Sequence, residues 1–128
     1  MENRKNWFVE RQGRRYAGTH LLIDLYGAEG LDDPARIEAA LRAGAAAAGA
    51  TVLHGHFHVF EPNGGVSGVL VLAESHLSIH SWPEADYAAI DAFMCGTCDP
   101  NRAVPAIRDA FGAERVVLTE IMRGPQEA

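Results

Sequence analysis

Between Thr51 and Met94 the chain offers four extended stretches in succession, with only short turns to separate them. Thr51 to Phe60 (TVLHGHFHVF) alternates, so that Val52, His54, His56, His58 and Phe60 point one way and Leu53, Phe57 and Val59 the other. The turn residues Glu61-Pro62-Asn63-Gly64-Gly65 run straight into Val66 to Ala73 (VSGVLVLA), which predicts a hairpin. Ser75 to Trp82 and Tyr87 to Met94 follow, parted by Pro83-Glu84-Ala85-Asp86. Strands joined this tightly pair antiparallel, because a parallel pair needs a long crossover. The middle of the protein is therefore a sheet.

Helices flank it. Asp32 and Asp33 precede Pro34, an N-cap followed by proline in the first turn, and Ile37, Ala40, Leu41 and Ala48 share a face before Gly49 supplies a stop. Asp99-Pro100 opens a second helix with Ala103, Val104, Ile107 and Phe111 on one face, and Gly112 closes it. Gly18 to Tyr26 precedes the first helix and Arg115 to Ile121 follows the second, both reading as strands. The order β-α-β-β, β-β-α-β predicts an α+β fold: a two-layer α/β sandwich, an antiparallel sheet with two helices on one face. The other sheet face must be wet or find a partner.

A chain of 128 residues, 48% hydrophobic and 22% charged, fits one domain with a core that needs no disulfide scaffold. Residues 1–17 are expected to form a basic N-terminal arm, 18–123 a single domain and 124–128 a tail. Residues 1–15 hold five Lys/Arg against Glu2 and Glu10, whereas the remainder holds six against fifteen Asp/Glu. That acidic body would repel nucleic acid. Neither a signal peptide nor a bilayer-spanning stretch is read here, so no membrane partner is expected. Two cysteines three apart, Cys95 and Cys98, are not a secreted framework and point to a reduced, cytoplasmic compartment.

Three groups of residues could carry chemistry. His54, His56 and His58 share a strand face where imidazoles could converge on a transition metal, although no carboxylate sits in the same strand. Cys95-Gly96-Thr97-Cys98 is spaced like a dithiol redox pair or half a zinc ribbon, but no second such motif exists. Asp99-Pro100 also separates it from the helix N-terminus that would activate a thiol. The third group is Leu72 to Glu84 (LAESHLSIHSWPE), polar and histidine-rich where a sheet would normally alternate apolar side chains.

This last run resembles the self-cleavage region of the bacterial and archaeal S-adenosylmethionine decarboxylases, a pyruvoyl-dependent family. The resemblance covers about residues 18–123, through Gly18-Thr19-His20-Leu21-Leu22-Ile23-Asp24, Gly65-Val66-Ser67-Gly68-Val69 and Tyr87 to Gly96. It implies a proenzyme that breaks itself between Glu74 and Ser75, giving a β chain of residues 1–74 and an α chain of residues 75–128. Ser75 would supply the pyruvoyl group, the cofactor, which acts as an electron sink once the substrate amine is bound to it. By position, Ser67 matches the family's stabilising serine, His80 its processing base and Cys95 its proton donor. Phe60 matches an aromatic that stacks on adenine, and Glu84 a carboxylate that binds both ribose hydroxyls.

The implied function is decarboxylation of S-adenosylmethionine to the aminopropyl donor of spermidine synthesis, by a homodimer with active sites at its interface and with no metal. Arginine or ornithine decarboxylation on the same scaffold is the alternative, and a metal-binding protein built on the histidine strand a further one. Met94 before Cys95 and the additional glycine at Gly64-Gly65 depart from the family pattern.

Overall fold

The computed structural model describes residues 8–126, so residues 1–7 of the expected arm and 127–128 of the tail lie outside the described residues. The elements run β1 (Val9–Arg11), β2 (Arg14–Tyr26), α1 (Pro34–Ala47), β3 (Val52–Val59), β4 (Val66–Leu72), β5 (Ser75–Trp82), β6 (Tyr87–Met94), α2 (Val104–Phe111) and β7 (Arg115–Gln126). The described strands form one antiparallel sheet ordered β7-β2-β6-β5-β4-β3, with short β1 hairpinned onto the start of β2. None of the described helices is long and apolar enough to cross a membrane.

The first helix starts where its Asp-Pro pair places it, whereas Asp99-Pro100 opens a 3-10 turn and α2 begins only at Val104. The Asp33 carboxylate accepts from the backbone N–H of Ala35 at 3.1 Å and of Arg36 at 3.2 Å, satisfying donors that the first turn leaves unpaired. Asp99 does the same for Asn101 at 3.0 Å, at the head of a one-turn 3-10 segment, Pro100–Ala103, that leads into α2. Gly112 ends α2 in a left-handed conformation that costs glycine nothing.

The two helices cover one sheet face. Ile37, Leu41 and Ala45 of α1 and Ile107 and Phe111 of α2 are buried against Leu21, Ile23 and Leu25 of β2, Leu70 of β4, Leu77 of β5 and Ile90 of β6. Each of the larger side chains contributes about 1.5–3 kcal/mol by leaving water. Where the helices touch, Gly44 lets them approach closely, since a Cβ there would lie 3.0 Å from Ile107 Cδ1 and 3.3 Å from the Ala103 methyl and would press on both.

Three expectations need correction. The strand expected from Gly18 begins at Arg14, and Val9–Arg11 joins it through a turn in which Gln12 (φ 53°) and Gly13 (φ 73°) both have positive φ. Charged residues and Gly18 hide the start of β2 from its own sequence; pairing with β1 and β7 holds it, and Tyr16 is buried. The last strand likewise runs past Ile121 to Gln126 along β2. In β3, a register shift between Val52 and His54 resets the alternation. Val52 therefore packs toward the core with Phe57 rather than sharing the histidine face, and Leu53 is left 64% exposed.

The uncovered face carries His20, Leu22 and Asp24 of β2, Ala89, Asp91 and Phe93 of β6, His76, Ser78 and His80 of β5, Ser67 of β4 and the three histidines of β3, as the registers require. Replacing Gly44 by Val should push α1 from α2 and lower stability by about 1–3 kcal/mol. A shift in the urea midpoint checks this, and an unchanged midpoint would contradict the close helix contact.

Candidate active site

Glu74 closes the two-residue turn, Ala73-Glu74, between β4 and β5, and Ser75 is the first residue of β5. The Glu74 carbonyl oxygen accepts from the Cys95 backbone N–H at 3.1 Å and from the Cys95 thiol at 3.3 Å. Its carboxylate accepts from the Thr51 N–H at 3.0 Å, so the residue is fixed at both ends. Ser75 itself has φ 140°, a region that L-residues rarely occupy and that stores on the order of 1–3 kcal/mol. Ser75 lies opposite Met94, the residue before Cys95, which explains why these three groups meet.

A second cluster lies at the other end of β5. Ser67 stands directly opposite His80 in the β4–β5 register. The His80 ring stacks with Trp82, at 4.5 Å and 17°, and lies parallel to Phe60, at 6.0 Å and 5°. Phe60, Ser67, His80, His56 and His58 line an open cavity of about 660 Å³ on the uncovered face, together with Ser78 and Asp91. Phe60 is 43% exposed. Glu84 sits on the exposed 3-10 turn Pro83–Ala85 beyond this cluster and lines no part of that cavity.

The two clusters are far apart within the chain. Five residues of strand separate Ser75 from His80, roughly 16 Å at about 3.3 Å per residue. The structure thus brings together Glu74, Ser75 and Cys95, and separately Phe60, Ser67 and His80.

Between them lies a network that sequence reasoning does not reach. The Asp91 carboxylate receives His20 Nε2 at 2.7 Å and His76 Nε2 at 2.9 Å, and accepts from the Ser78 hydroxyl. Burial alone would raise its pKa, but the hydrogen bonds from Ser78, His20 and His76 outweigh it and hold the carboxyl below the usual carboxylate range. His20, His76 and Asp91 are also the metal-competent group found among the described residues, their ligand atoms lying within 4.8 Å of one another; the β3 histidines form none. Counting faces along β5 and β6 could have paired Asp91 with His76 and Ser78. His20 could not be added without knowing that β2 borders β6.

Cys98 donates to the Gly49 carbonyl at 3.3 Å. Burial pushes its thiol pKa up, with the neighbouring Glu74 carboxylate and Cys95 adding to the effect. That is the opposite of what a redox nucleophile requires.

Comparison with known proteins supplies the family. The family model described as S-adenosylmethionine decarboxylase matches residues 19–124. The chain belongs to the S-adenosylmethionine decarboxylase family. It is 41% identical over 108 residues to the S-adenosylmethionine decarboxylase proenzyme of Thermomicrobium roseum, covering 84% of this chain and 93% of that one. To the proenzyme of Caldanaerobacter subterraneus subsp. tengcongensis it is 46% identical over 110 residues, covering 84% and 88%. The crystal structure of the adenosylmethionine decarboxylase from Aquifex aeolicus superposes with a TM-score of 0.74 at 34% identity, over 86% of this chain and 92% of that one.

The depressed Asp91 carboxyl has a sign that can be tested. Its stabilisation is complete above the unfolded value of about 3.9 and is lost as pH falls through the lower native value. Asp91→Asn should therefore lower the urea midpoint relative to wild type at about pH 6, with the difference shrinking as the pH drops below about 4. A difference that is constant with pH would contradict the hydrogen-bonded carboxylate.

Proposed function

We propose that this chain is the proenzyme of a pyruvoyl-dependent decarboxylase of S-adenosylmethionine, which cleaves itself between Glu74 and Ser75. The single observation that carries the reading is the Glu74 carbonyl oxygen with two donors from Cys95, next to a Ser75 in a strained conformation. When the Ser75 hydroxyl attacks that carbonyl, negative charge develops on the oxygen the two donors already address. The acyl group moves from nitrogen to oxygen, and release of the φ 140° geometry favours the shift. A base then removes the Ser75 Cα proton, the ester leaves by β-elimination, and hydrolysis of the resulting dehydroalanine gives pyruvoyl and ammonia.

The pyruvoyl group, once formed, supplies the electron sink for loss of carbon dioxide. This chain's own residues do the rest. Cys95 is the proton donor to the substrate carbon, its thiol already reaching the Glu74 carbonyl at the bond to residue 75. Phe60 offers an exposed π-face for adenine, and Glu84 an acceptor-only carboxylate for the ribose diol. The domain division, with a β chain of residues 1–74 and an α chain of residues 75–128, belongs to the same reading, as does a cytoplasmic location, with which two free thiols agree.

The roughly 16 Å between Ser75 and His80 supports a homodimer as the working unit. A two-fold axis through the uncovered sheet face would lay the Ser75 end of one subunit over the His80 end of the other, twice. Ser67 and His80 of the partner subunit then serve Ser75, and Phe60 of the partner subunit faces the pyruvoyl. Partly exposed Val71, Val117 and Ile121 on that face supply apolar area for the contact.

Denaturing mass spectrometry tests the first part. The wild type should give pieces of roughly 8 and 6 kDa, in proportion to residues 1–74 and 75–128, the lighter one blocked at its terminus. Ser75→Ala should stay whole, and carbon dioxide should be released from S-adenosylmethionine in preference to arginine or ornithine. Cleavage of Ser75→Ala would refute the site. Co-expression tests the second part: Ser75→Ala and His80→Ala should each remain whole alone, whereas together the His80→Ala chain should be cut by His80 of the partner subunit. A mixture that stays whole would sink the shared site.

A further inference from the structure

The Asp91 network takes no part in the chemistry described above, yet it ends one residue from the bond that breaks. Its wiring can be read from donor logic. Arg123 Nη1 of β7 stands 3.0 Å from His20 Nδ1, and a guanidinium can only donate. His20 Nδ1 therefore accepts, its ring proton sits on Nε2, and that N–H donates to Asp91 Oδ2 at 2.7 Å. With the carboxylate ionised, His76 Nε2 also donates to Oδ2 at 2.9 Å, while the Ser78 hydroxyl takes Oδ1. A metal on His20 Nε2 would need the lone pair that this tautomer lacks. The cluster is instead a hydrogen-bonded brace running from β7 through β2 and β6 to His76 on β5.

The brace matters because of what cleavage removes. In the intact chain residue 75 is held from both directions, by the peptide bond to Glu74 and by its place in β5. After cleavage residue 75 becomes a chain terminus at a strand end, where unrestrained backbone frays. The nearest downstream side chain is His76, whose ring lies 6.1 Å from that of His20 and 6.2 Å from that of Phe93, and whose side-chain hydrogen bond among the described residues is the one to Asp91. His76 lies opposite Phe93, and residue 75 opposite Met94, so fixing His76 sets how residue 75 meets Cys95.

We propose that Asp91, acting through His76, is a positioning residue that keeps the new α-chain terminus aligned with the Cys95 thiol after self-cleavage. This rests on the reading of Glu74–Ser75 as the cleaved bond. The brace is dispensable for the cut, when the chain itself is the tether, and needed for turnover, when the tether is gone.

The test compares wild type, His76→Ala, His76→Gln and Asp91→Asn for extent of cleavage by intact mass, for kcat and KM, and for the fraction of α chain ending in alanine rather than pyruvoyl. That alanyl terminus arises when the proton is delivered to the carbon of residue 75 instead of the substrate carbon and water then hydrolyses the shifted imine, which leaves the substrate nitrogen on residue 75 and releases the decarboxylated substrate as an aldehyde, so it reports misalignment directly. All four proteins should cleave. His76→Ala and Asp91→Asn should lose about tenfold in kcat with KM within about twofold, and their alanyl fraction should rise. In His76→Gln the new side-chain amide can still donate to Asp91, so this variant should recover most of the loss.

Unchanged kcat in His76→Ala, failure of His76→Gln to recover, or loss of cleavage in parallel with kcat would each overturn the positioning role. A wild-type chain that never cleaves would instead overturn the reading on which the proposal rests.

Discussion

A sheet with helices on one side has to solve two problems with one strand, since alternate residues face opposite environments. In this protein the covered side takes the apolar residues, Leu21, Ile23 and Leu25 on β2 and Ala88, Ile90, Ala92 and Met94 on β6, all buried. The intervening positions are thereby released from packing and carry His20, Asp24, Asp91, His76, Ser78 and His80. Everything chemical in the molecule depends on this division. A one-residue slip of any central strand would bury polar side chains against α1 and α2 and turn the core outward.

The polar face is not a loose collection of charges. Besides the Asp91 brace, the Tyr87 hydroxyl donates to the Asp24 carboxylate at 2.5 Å, and this hydrogen bond, aided by burial, pushes the phenol up to about 12. Arg115 lies over the Tyr26 ring at 4.1 Å, next to Tyr87. These groups are matched within the subunit, which is what a sheet face requires if a second copy is to cover it without leaving an unpaired charge. The Ser75–Cys95 cluster and the Phe60–Ser67–His80 cluster lie toward opposite ends of β5, beside this polar face.

Much of this is legible in the sequence, and the reasons are local. Ser75–Trp82 and Tyr87–Met94 are bounded by turn residues, and the structure keeps those limits. Asp33-Pro34 and Asp99-Pro100 are capping signals whose hydrogen bonds close within three residues. The orientation of Val52 is not legible, because a bulge is created by two strands together and β3 alone shows unbroken alternation. Nor is the start of β2, because Arg14 and Gly18 have little strand preference of their own and are held by neighbours from β1 and β7. For the site, Glu74, Ser75 and Cys95 can be named from their motif, but the contact of the Cys95 N–H and thiol with the Glu74 carbonyl depends on β5 lying beside β6.

By itself, the sequence determined the α+β class, the strands and helices that short-range signals bound, and the run from Leu72 to Glu84 that marks the family. Those properties follow from periodicity, capping and turn chemistry, all of which act over a few residues. Only the tertiary structure decided that His20, Arg123, His76 and Asp91 form one brace, that the Cys95 N–H and thiol meet the Glu74 carbonyl, and that Val52 faces the core. These are matters of register between segments as much as 103 residues apart in the chain, and register is fixed by which strand lies beside which, a choice made by the burial of the whole apolar face at once.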